Sequence, residues 1–323
     1  MLKIIQDKLS DNILCEFGKR YGAIEGSLKP CGGNEAAVYS FQKSNDEYIM
    51  KITHNTIKDK IEVAGEIEFV NYLYDNGAKV SNVINSHKGN LIEIIDDDDG
   101  YLYARCYSKA RGYRITDQWS TSLFTKWGQT MGKLHKLSKQ FQPSQYFYCP
   151  HWNKNKRLNN FLWKQEAIID SVNEVTNYLQ SLPRSNDNYG VVHNDFHQDN
   201  FLIDDNQLTV FDFDDMGYSW YINDISIVLY YSIYQNAFMK QEKDFMRRFF
   251  NSFMEGYSKE NYIERDWFSQ IPYFLRLRHI ILYSAYCQLV DFDNLEKYEE
   301  RLLLKFRRDI HNKRELIDIS HLL

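Results

Sequence analysis

Residues 193–200 read His193-Asn194-Asp195-Phe196-His197-Gln198-Asp199-Asn200, and a little further on the chain reads Val210-Phe211-Asp212-Phe213-Asp214-Asp215. Between them lie two apolar runs, Phe201-Leu202-Ile203 and Leu208-Thr209-Val210-Phe211, separated by Asp204-Asp205-Asn206-Gln207. That composition is a turn, and strand-turn-strand folding brings its two ends together. Asn200 and Asp212 are then oxygen donors suited to a hard cation such as Mg2+, which is usually held by one or two carboxylates and the phosphates of a substrate. Asp195, five residues before Asn200, is placed to orient an attacking hydroxyl. Isolated loop acids are more often turn and cap residues, so the constellation carries this reading and no single member does.

The spacing His193-x-Asp195-(x)4-Asn200, followed by Asp212, is that of a phosphoryl-transfer site in the protein-kinase manner, with a catalytic-loop Asp, a metal-binding Asn and a second metal-binding Asp. Further parts lie upstream. Pro30-Cys31-Gly32-Gly33-Asn34-Glu35 precedes the strand-like Ala36 to Phe41; two glycines let a hairpin tip approach phosphates through backbone N–H groups, although a Gly-Gly turn alone is a weak signal. Tyr48-Ile49-Met50-Lys51-Ile52-Thr53 is an apolar strand interrupted by one Lys, which is costly unless paired. The following helix, 61–76, carries Val63, Val70 and Leu73 on a face that includes Glu66. A Lys51–Glu66 ion pair is therefore expected, with Glu62 as the alternative acid one turn earlier.

With these residues in order, the chain resembles the aminoglycoside phosphotransferase and choline kinase family, small-molecule relatives of the protein kinases. The resemblance spans nearly the whole chain: Gly32-Gly33, Lys51, Glu66, the helix around Trp127 to His135, the loop at 193–200, Asp212 and Asp224. It implies an α+β, bilobal protein-kinase-like fold, with a β-rich N-lobe at 1–105, a hinge at 106–112 and a mostly helical C-lobe at 113–323. It implies ATP, with GTP as an alternative, and Mg2+ as cofactors. Arg105, Cys106 and Tyr107 become the adenine-binding hinge, acting through their backbone. Asp224 starts a helix and braces the catalytic loop, and His193 packs beneath that loop without taking part in the chemistry.

Departures from the protein-kinase pattern favour a small acceptor. Kinases acting on Ser or Thr commonly carry a Lys two residues after the catalytic Asp, where this chain has His197. Asp214 replaces the Gly of Asp-Phe-Gly, and the short stretch between Asp212 and Asp224 leaves no room for an activation segment. His197 and Asp214 are candidates for a charge or substrate role. A stress-type protein kinase and a non-catalytic nucleotide-binding module are the competing classes. The second is expected to lack one of Lys51, Asp195, Asn200 or Asp212, and none is missing.

Composition fits an enzyme without identifying one. At 323 residues and 43% hydrophobic the chain can bury a sizeable core. A formal charge of -5 gives no electrostatic case for nucleic acid. Five widely spaced cysteines, with no Cys-x-x-Cys, argue against a disulfide framework or a zinc site. The N-terminus lacks a signal-peptide core, and the apolar stretches 225–234 and 280–286 are too short to span a bilayer, so no membrane association and a cytoplasmic location are expected. The run Asp96 to Asp99 reads as a solvated hairpin turn, lacking the spacing of a calcium loop.

Family resemblance places the acceptor pocket in residues 224–309. Tyr230, Tyr231, Tyr234, Tyr273, Tyr283 and Tyr286 lie there with Asp291 and Asp293, a mixture that suits an amine. Asp195, Asp212, Asp214, Asp215, Asp291 and Asp293 together predict an acidic cleft and hence an amine-bearing hydroxyl acceptor. Arg276, Arg278 and His279 favour a carboxylate instead if they face the site.

Overall fold

The computed structural model describes residues 3–33, 35–115, 119–156, 158, 166–234 and 244–320. The chain divides into two compact units, one formed by Met1–Tyr113, Phe141–Cys149 and Leu202–Asp214, the other by Arg114–Gln140, Pro150–Phe201 and Asp215–Leu323.

In the first unit, helices α1 (Lys3–Lys8) and α2 (Asp11–Tyr21) precede an antiparallel sheet of β1 (Lys29–Gly32), β2 (Ala37–Lys43), β3 (Asp46–His54), β4 (Val83–Ile84), β5 (Glu93–Asp97) and β6 (Gly100–Ser108). Helix α3 (Lys60–Asp75) lies between β3 and β4 in the chain. It starts where Asp59 accepts the Ile61 N–H at 2.8 Å, filling one of the orphan donors of a helix N-terminus. Helix α2 ends at Gly22, whose φ of 80° supplies the left-handed cap. Phe17 and Tyr21 of α2 pack against Phe41, Met50, Ile52, Leu102 and Ala104 on one face of the sheet. The acid run straddles the end of β5 and its turn into β6, where Lys8 pairs with Asp97 at 2.7 Å and Asp99 at 2.8 Å.

Residues 141–149 belong to this unit because α3 holds them. Glu68 accepts the Ser144 N–H and hydroxyl, both at 2.7 Å, and Phe141 packs edge-on against Phe69.

Strand β6 covers the first residues of the expected hinge at 106–112. Strand β6 runs on to Ser108, with Cys106 opposite Met50 and Ile84, and Tyr107 opposite Ile49 and Val83. The backbone groups assigned to adenine are thus part of a strand paired on both edges. The connector begins after Ser108, and the unit continues to Tyr113, which exchanges backbone hydrogen bonds with Ile203 at 3.1 and 3.0 Å.

Helices dominate the second unit: α4 (Thr121–Gln140), α5 (Glu166–Ser181), α6 (Tyr221–Leu229), α7 (Phe245–Ser258), α8 (Ile271–Leu289) and α9 (Lys297–His311). The stripe read from spacing, Leu123, Trp127, Met131, Leu134 and Ser138, is the buried face of α4. Small residues let α4 and α7 approach closely: a Cβ at Gly128 would stand 1.8 Å from the Phe253 carbonyl oxygen, and one at Gly256 1.8 Å from that of Thr125. Strands β7 (Tyr189–Val192) and β10 (Gly217–Trp220) pair antiparallel, and the catalytic-loop residues follow β7 directly. The hairpin expected after Asn200, which from Leu202 on belongs to the first unit, forms from β8 (Phe201–Asp204) and β9 (Gln207–Val210), with Asp205 and Asn206 in the left-handed conformation that a tight two-residue turn requires. Among the described residues, no helix is long and apolar enough to cross a membrane.

His279, buried on α8, hydrogen-bonds the Tyr230 hydroxyl at 2.7 Å and packs on Phe306. Burial pushes its pKa down to about 4, outweighing the pull of Asp309, while Lys305 and Arg314 push the same way as burial. Between its ordinary value and that figure the unfolded chain takes up a proton that the fold refuses, so stability falls as pH drops through this window. Unfolding free energies measured from pH 7 to 4 should decline by on the order of 3 kcal/mol from this group, and the decline should be shallower in His279→Gln. An unchanged pH slope in that variant rejects the assignment.

Candidate functional site

Lys51 and Arg105 face one another across β3 and β6, so two cations share one face of the sheet at directly opposed positions. Such pairs repel. Acids from two directions offset them. Asp212 accepts Lys51 Nζ at 2.6 Å and Asp214 accepts it at 2.8 Å, while Arg105 donates to Asp214 as well. Glu66, buried on α3, accepts from Lys58 at 2.8 Å, from the Tyr107 hydroxyl, and from Arg105 at 3.5 Å.

The expected Lys51–Glu66 pair is therefore replaced. Glu66 is taken by Lys58, Arg105 and Tyr107, and the helical turn Phe213–Asp215 brings Asp214 to Lys51 in its stead. Burial works against ionised Glu66, but Arg105 and then Lys58 hold its pKa below the ordinary carboxylate range. Asp214 lies well below that range: burial opposes ionisation, and Lys51, Arg105 and Lys58 overcome it. Arg105, chosen from the sequence for its backbone, matters here through its side chain. Lys58 had no sequence signal, since it sits in a polar stretch just before a helix cap.

Gly32 and Gly33 follow the expectation of a tight turn, with φ of 98° and 106°. A Cβ on Gly33 would lie 2.1 Å from the Ala36 carbonyl oxygen. Asn34, quoted as part of this turn, lies outside the described residues.

In the second unit Asp224, in the first turn of α6, accepts the backbone N–H of His193 at 3.0 Å and of Asn194 at 2.7 Å. His135 Nε2 lies 3.2 Å from the same carboxylate, and its Nδ1 is 2.9 Å from the Tyr257 hydroxyl. Asn194 is held with φ 63°, costly for a residue with a side chain; Asn223 donates to its side-chain oxygen at 2.8 Å, and its own amide donates to the Asp215 carbonyl at 3.1 Å. His193 stacks on Phe196 below the loop, and its Nδ1 accepts the Asp195 N–H at 3.3 Å.

Asp195 is enclosed by polar partners. Arg278 donates to Oδ1, Asn200 Nδ2 donates to Oδ2 at 3.2 Å, and His197 Nε2 lies 3.4 Å from Oδ2. Burial raises the pKa of Asp195, but Arg278 and then His197 outweigh it and hold the group far below the usual carboxylate range. Burial lowers His197, yet Asp195 and Asp199 bring it up to about 9. Asn200 also donates to the Asp195 carbonyl at 2.8 Å. With its NH2 engaged in this way, Asn200 keeps Oδ1 available as an oxygen donor. Asp212, with φ 68° and a side chain 43% exposed, likewise keeps one carboxylate oxygen clear of Lys51. An amide oxygen and a carboxylate are each donor types that a hard divalent cation takes.

Several of the acids counted toward an acidic balance have cationic partners. Asp212 and Asp214 are matched by Lys51, Lys58 and Arg105, and Asp195 by Arg278 and His197. Asp291 accepts from the Asp293 N–H and from Asn294 in the exposed turn after α8. Of the three basic residues proposed to favour a carboxylate, Arg276 pairs with Glu174 at 3.2 Å and His279 is buried against Tyr230, so Arg278 alone meets Asp195. The apolar stretch Phe274 to Leu282 carries Arg276, Arg278 and His279, and nothing in the sequence sets Arg278 apart from the other two.

A sequence profile of the phosphotransferase enzyme family matches residues 27–262. The chain belongs to that family and is a phosphotransferase of the small-molecule kinase type, with an alcohol group as acceptor. Amicoumacin kinase of Bacillus subtilis (strain 168) is 34% identical over 309 residues, covering 94% of this chain and 92% of the relative. The solved structure of an amicoumacin kinase in complex with AMP-PNP, Ca2+ and Ami is 30% identical, with a TM-score of 0.95 over the full length of both chains. A microcompartment-associated aminopropanol kinase, 16% identical, shares the fold with a TM-score of 0.75 over 93% of this chain and 95% of its own.

Removing one member of the buried charge cluster leaves the others uncompensated, so Asp214→Asn and Glu66→Gln should each cost about 3 kcal/mol of stability. Because both acids contact Arg105 and Lys58, their effects should not add: chemical denaturation of the double variant should depart from the sum by roughly 1 kcal/mol. Strict additivity would contradict a shared network.

Proposed function

We propose that this chain transfers the γ-phosphate of ATP, in the presence of Mg2+, to a hydroxyl of amicoumacin or of a close chemical relative. The observation that carries the reading is the end-to-end match to an amicoumacin kinase solved with an ATP analogue, a divalent cation and Ami. Retention of Lys51, Asp195, Asn200 and Asp212 supports it.

Asp195 accepts a hydrogen bond from the acceptor hydroxyl, aligns its oxygen with the γ-phosphorus, and takes the proton as the new bond forms. Held strongly ionised, it is ready as an acceptor at neutral pH. Asn200 Oδ1 and Asp212, which flank the β8–β9 hairpin in sequence, are the residues that would hold the cation. When bound, that cation supplies positive charge against the phosphate oxygens. Lys51 engages the phosphates and Gly32–Gly33 let backbone N–H groups approach them. The connector after Ser108 takes the adenine role first assigned to Arg105, Cys106 and Tyr107. His193, Asp224 and His135 hold the loop. Asp214 and Glu66 are counter-ions that keep Lys51, Lys58 and Arg105 in place, and His197 caps Asp195. The class of acceptor rests on the relative and not on the charge of the cleft.

Labelled ATP should transfer phosphate to amicoumacin with Mg2+ present. Asp195→Asn should lower turnover by about 1000-fold while leaving ATP binding within a few-fold; Lys51→Ala should weaken ATP use as well as turnover, because phosphate charge is met in both ground and transition states. Loss of ATP affinity in Asp195→Asn, or full activity in it, overturns the division of roles.

Because Asn200 and Asp212 reach phosphates only through a cation, ATP should raise the melting temperature substantially more with Mg2+ than with EDTA. Equal shifts under the two conditions count against these residues as metal ligands.

A further inference from the structure

We propose that Arg278 is a positioning residue for Asp195, supplying from helix α8 a forked cation that complements the single imidazole contact His197 makes from within the loop. The inference rests on the reading of Asp195 as the group that orients the acceptor hydroxyl. Within the loop, the second residue after Asp195 is His197, so no Lys is available there. Arg278 arrives from 83 positions away in sequence.

Its guanidinium engages two consecutive residues of the loop. Nη2 donates to Asp195 Oδ1 and to the Tyr231 hydroxyl at 2.6 Å, and Nη1 donates to the Asn194 carbonyl at 3.2 Å. The planar fork of Arg suits this double engagement, whereas an ammonium is a compact point charge. Asn194 is the residue held in the left-handed region, so the same side chain secures both the strained peptide and the carboxylate that follows it. Tyr231, at the π-helical turn Tyr230–Tyr234, sits under the guanidinium at 5.2 Å and stacks on His197 at 4.3 Å. Arg278 therefore fixes Oδ1, while His197 and Asn200 approach Oδ2. The carboxylate is held in rotation as well as in place.

The guanidinium is 5% exposed, and its Nε–H has no partner among the described residues. A buried orphan donor is destabilising. Its persistence indicates that side-chain placement is dictated by the loop contacts and not by local satisfaction of the Arg. A guanidinium buried only to stabilise α8 has no such requirement.

The test compares wild type, Arg278→Lys and Arg278→Met for phosphate transfer from ATP to amicoumacin, with ATP hydrolysis to ADP followed in parallel on all three. Misplacement of a catalytic group by ~1 Å costs about 100-fold, so Arg278→Met should lose roughly that in kcat with the KM for ATP almost unmoved. Arg278→Lys, which keeps the charge and folds if the Met variant does not, should recover part of the loss. Wild-type kcat in both variants overturns the positioning role and leaves the phosphotransferase reading intact. Loss appearing equally in KM for ATP and in kcat also overturns it, as that is the mark of general structural damage. If wild type transfers nothing to amicoumacin, the acceptor reading fails separately, and the hydrolysis rates carry the same comparison for Arg278.

Discussion

Two cations placed opposite one another on adjacent strands are the constraint around which the first unit is arranged. Lys51 and Arg105 occupy paired positions of β3 and β6, and repulsion at that spacing makes the sheet unfavourable unless negative charge is delivered to it. The acids come from elsewhere in the chain: Glu66 from α3, and Asp212 and Asp214 from the segment after β9. Electrostatics thus ties the segment that carries a candidate metal ligand to the strand that carries the candidate phosphate-binding Lys. Lys58 and Tyr107 complete the set by occupying Glu66.

The loop at 193–200 obeys the same rule on a smaller scale. Asp224 meets two backbone N–H groups at the point where the chain turns through a left-handed residue. A buried carboxylate with such donors needs no cation of its own, and His135 supplies one more contact. Asp195, by contrast, is tied to Arg278 and His197. One acid is neutralised by the backbone and holds the shape of the loop. The other is neutralised by side chains and retains lone pairs for a ligand.

Much of this was legible in the sequence wherever the information is local. The existence of β3 and α3, the buried stripe of α4 and the hairpin after Asn200 follow from periodicity and turn chemistry, and the bracing by Asp224 from the family resemblance. What failed was the choice among partners. Glu66 was correctly seen as a charge on an apolar face, but nothing in its neighbourhood reveals that Lys58 and Arg105 take it while Asp214 goes to Lys51. That outcome depends on which acids the tertiary fold brings near. The end of β6 was misplaced because Arg105, Cys106 and Tyr107 alternate as well in a strand as at its edge, and only pairing with β3 and β4 fixes the difference. Nothing in the sequence set Arg278 apart from Arg276 and His279, and its target, a loop in a distant part of the chain, was not visible either.

The close contact between Lys51 and Asp212 makes the protein its own competitor. Any anion that comes to Lys51 competes with a carboxylate that is already there, and any cation that comes to Asp212 competes with an ammonium for its charge. Either ligand arriving alone weakens this bond without replacing both halves of it. A cation and an anion arriving as one complex satisfy both halves together. Under the roles proposed for these two residues, paired arrival is thus favoured over arrival one at a time.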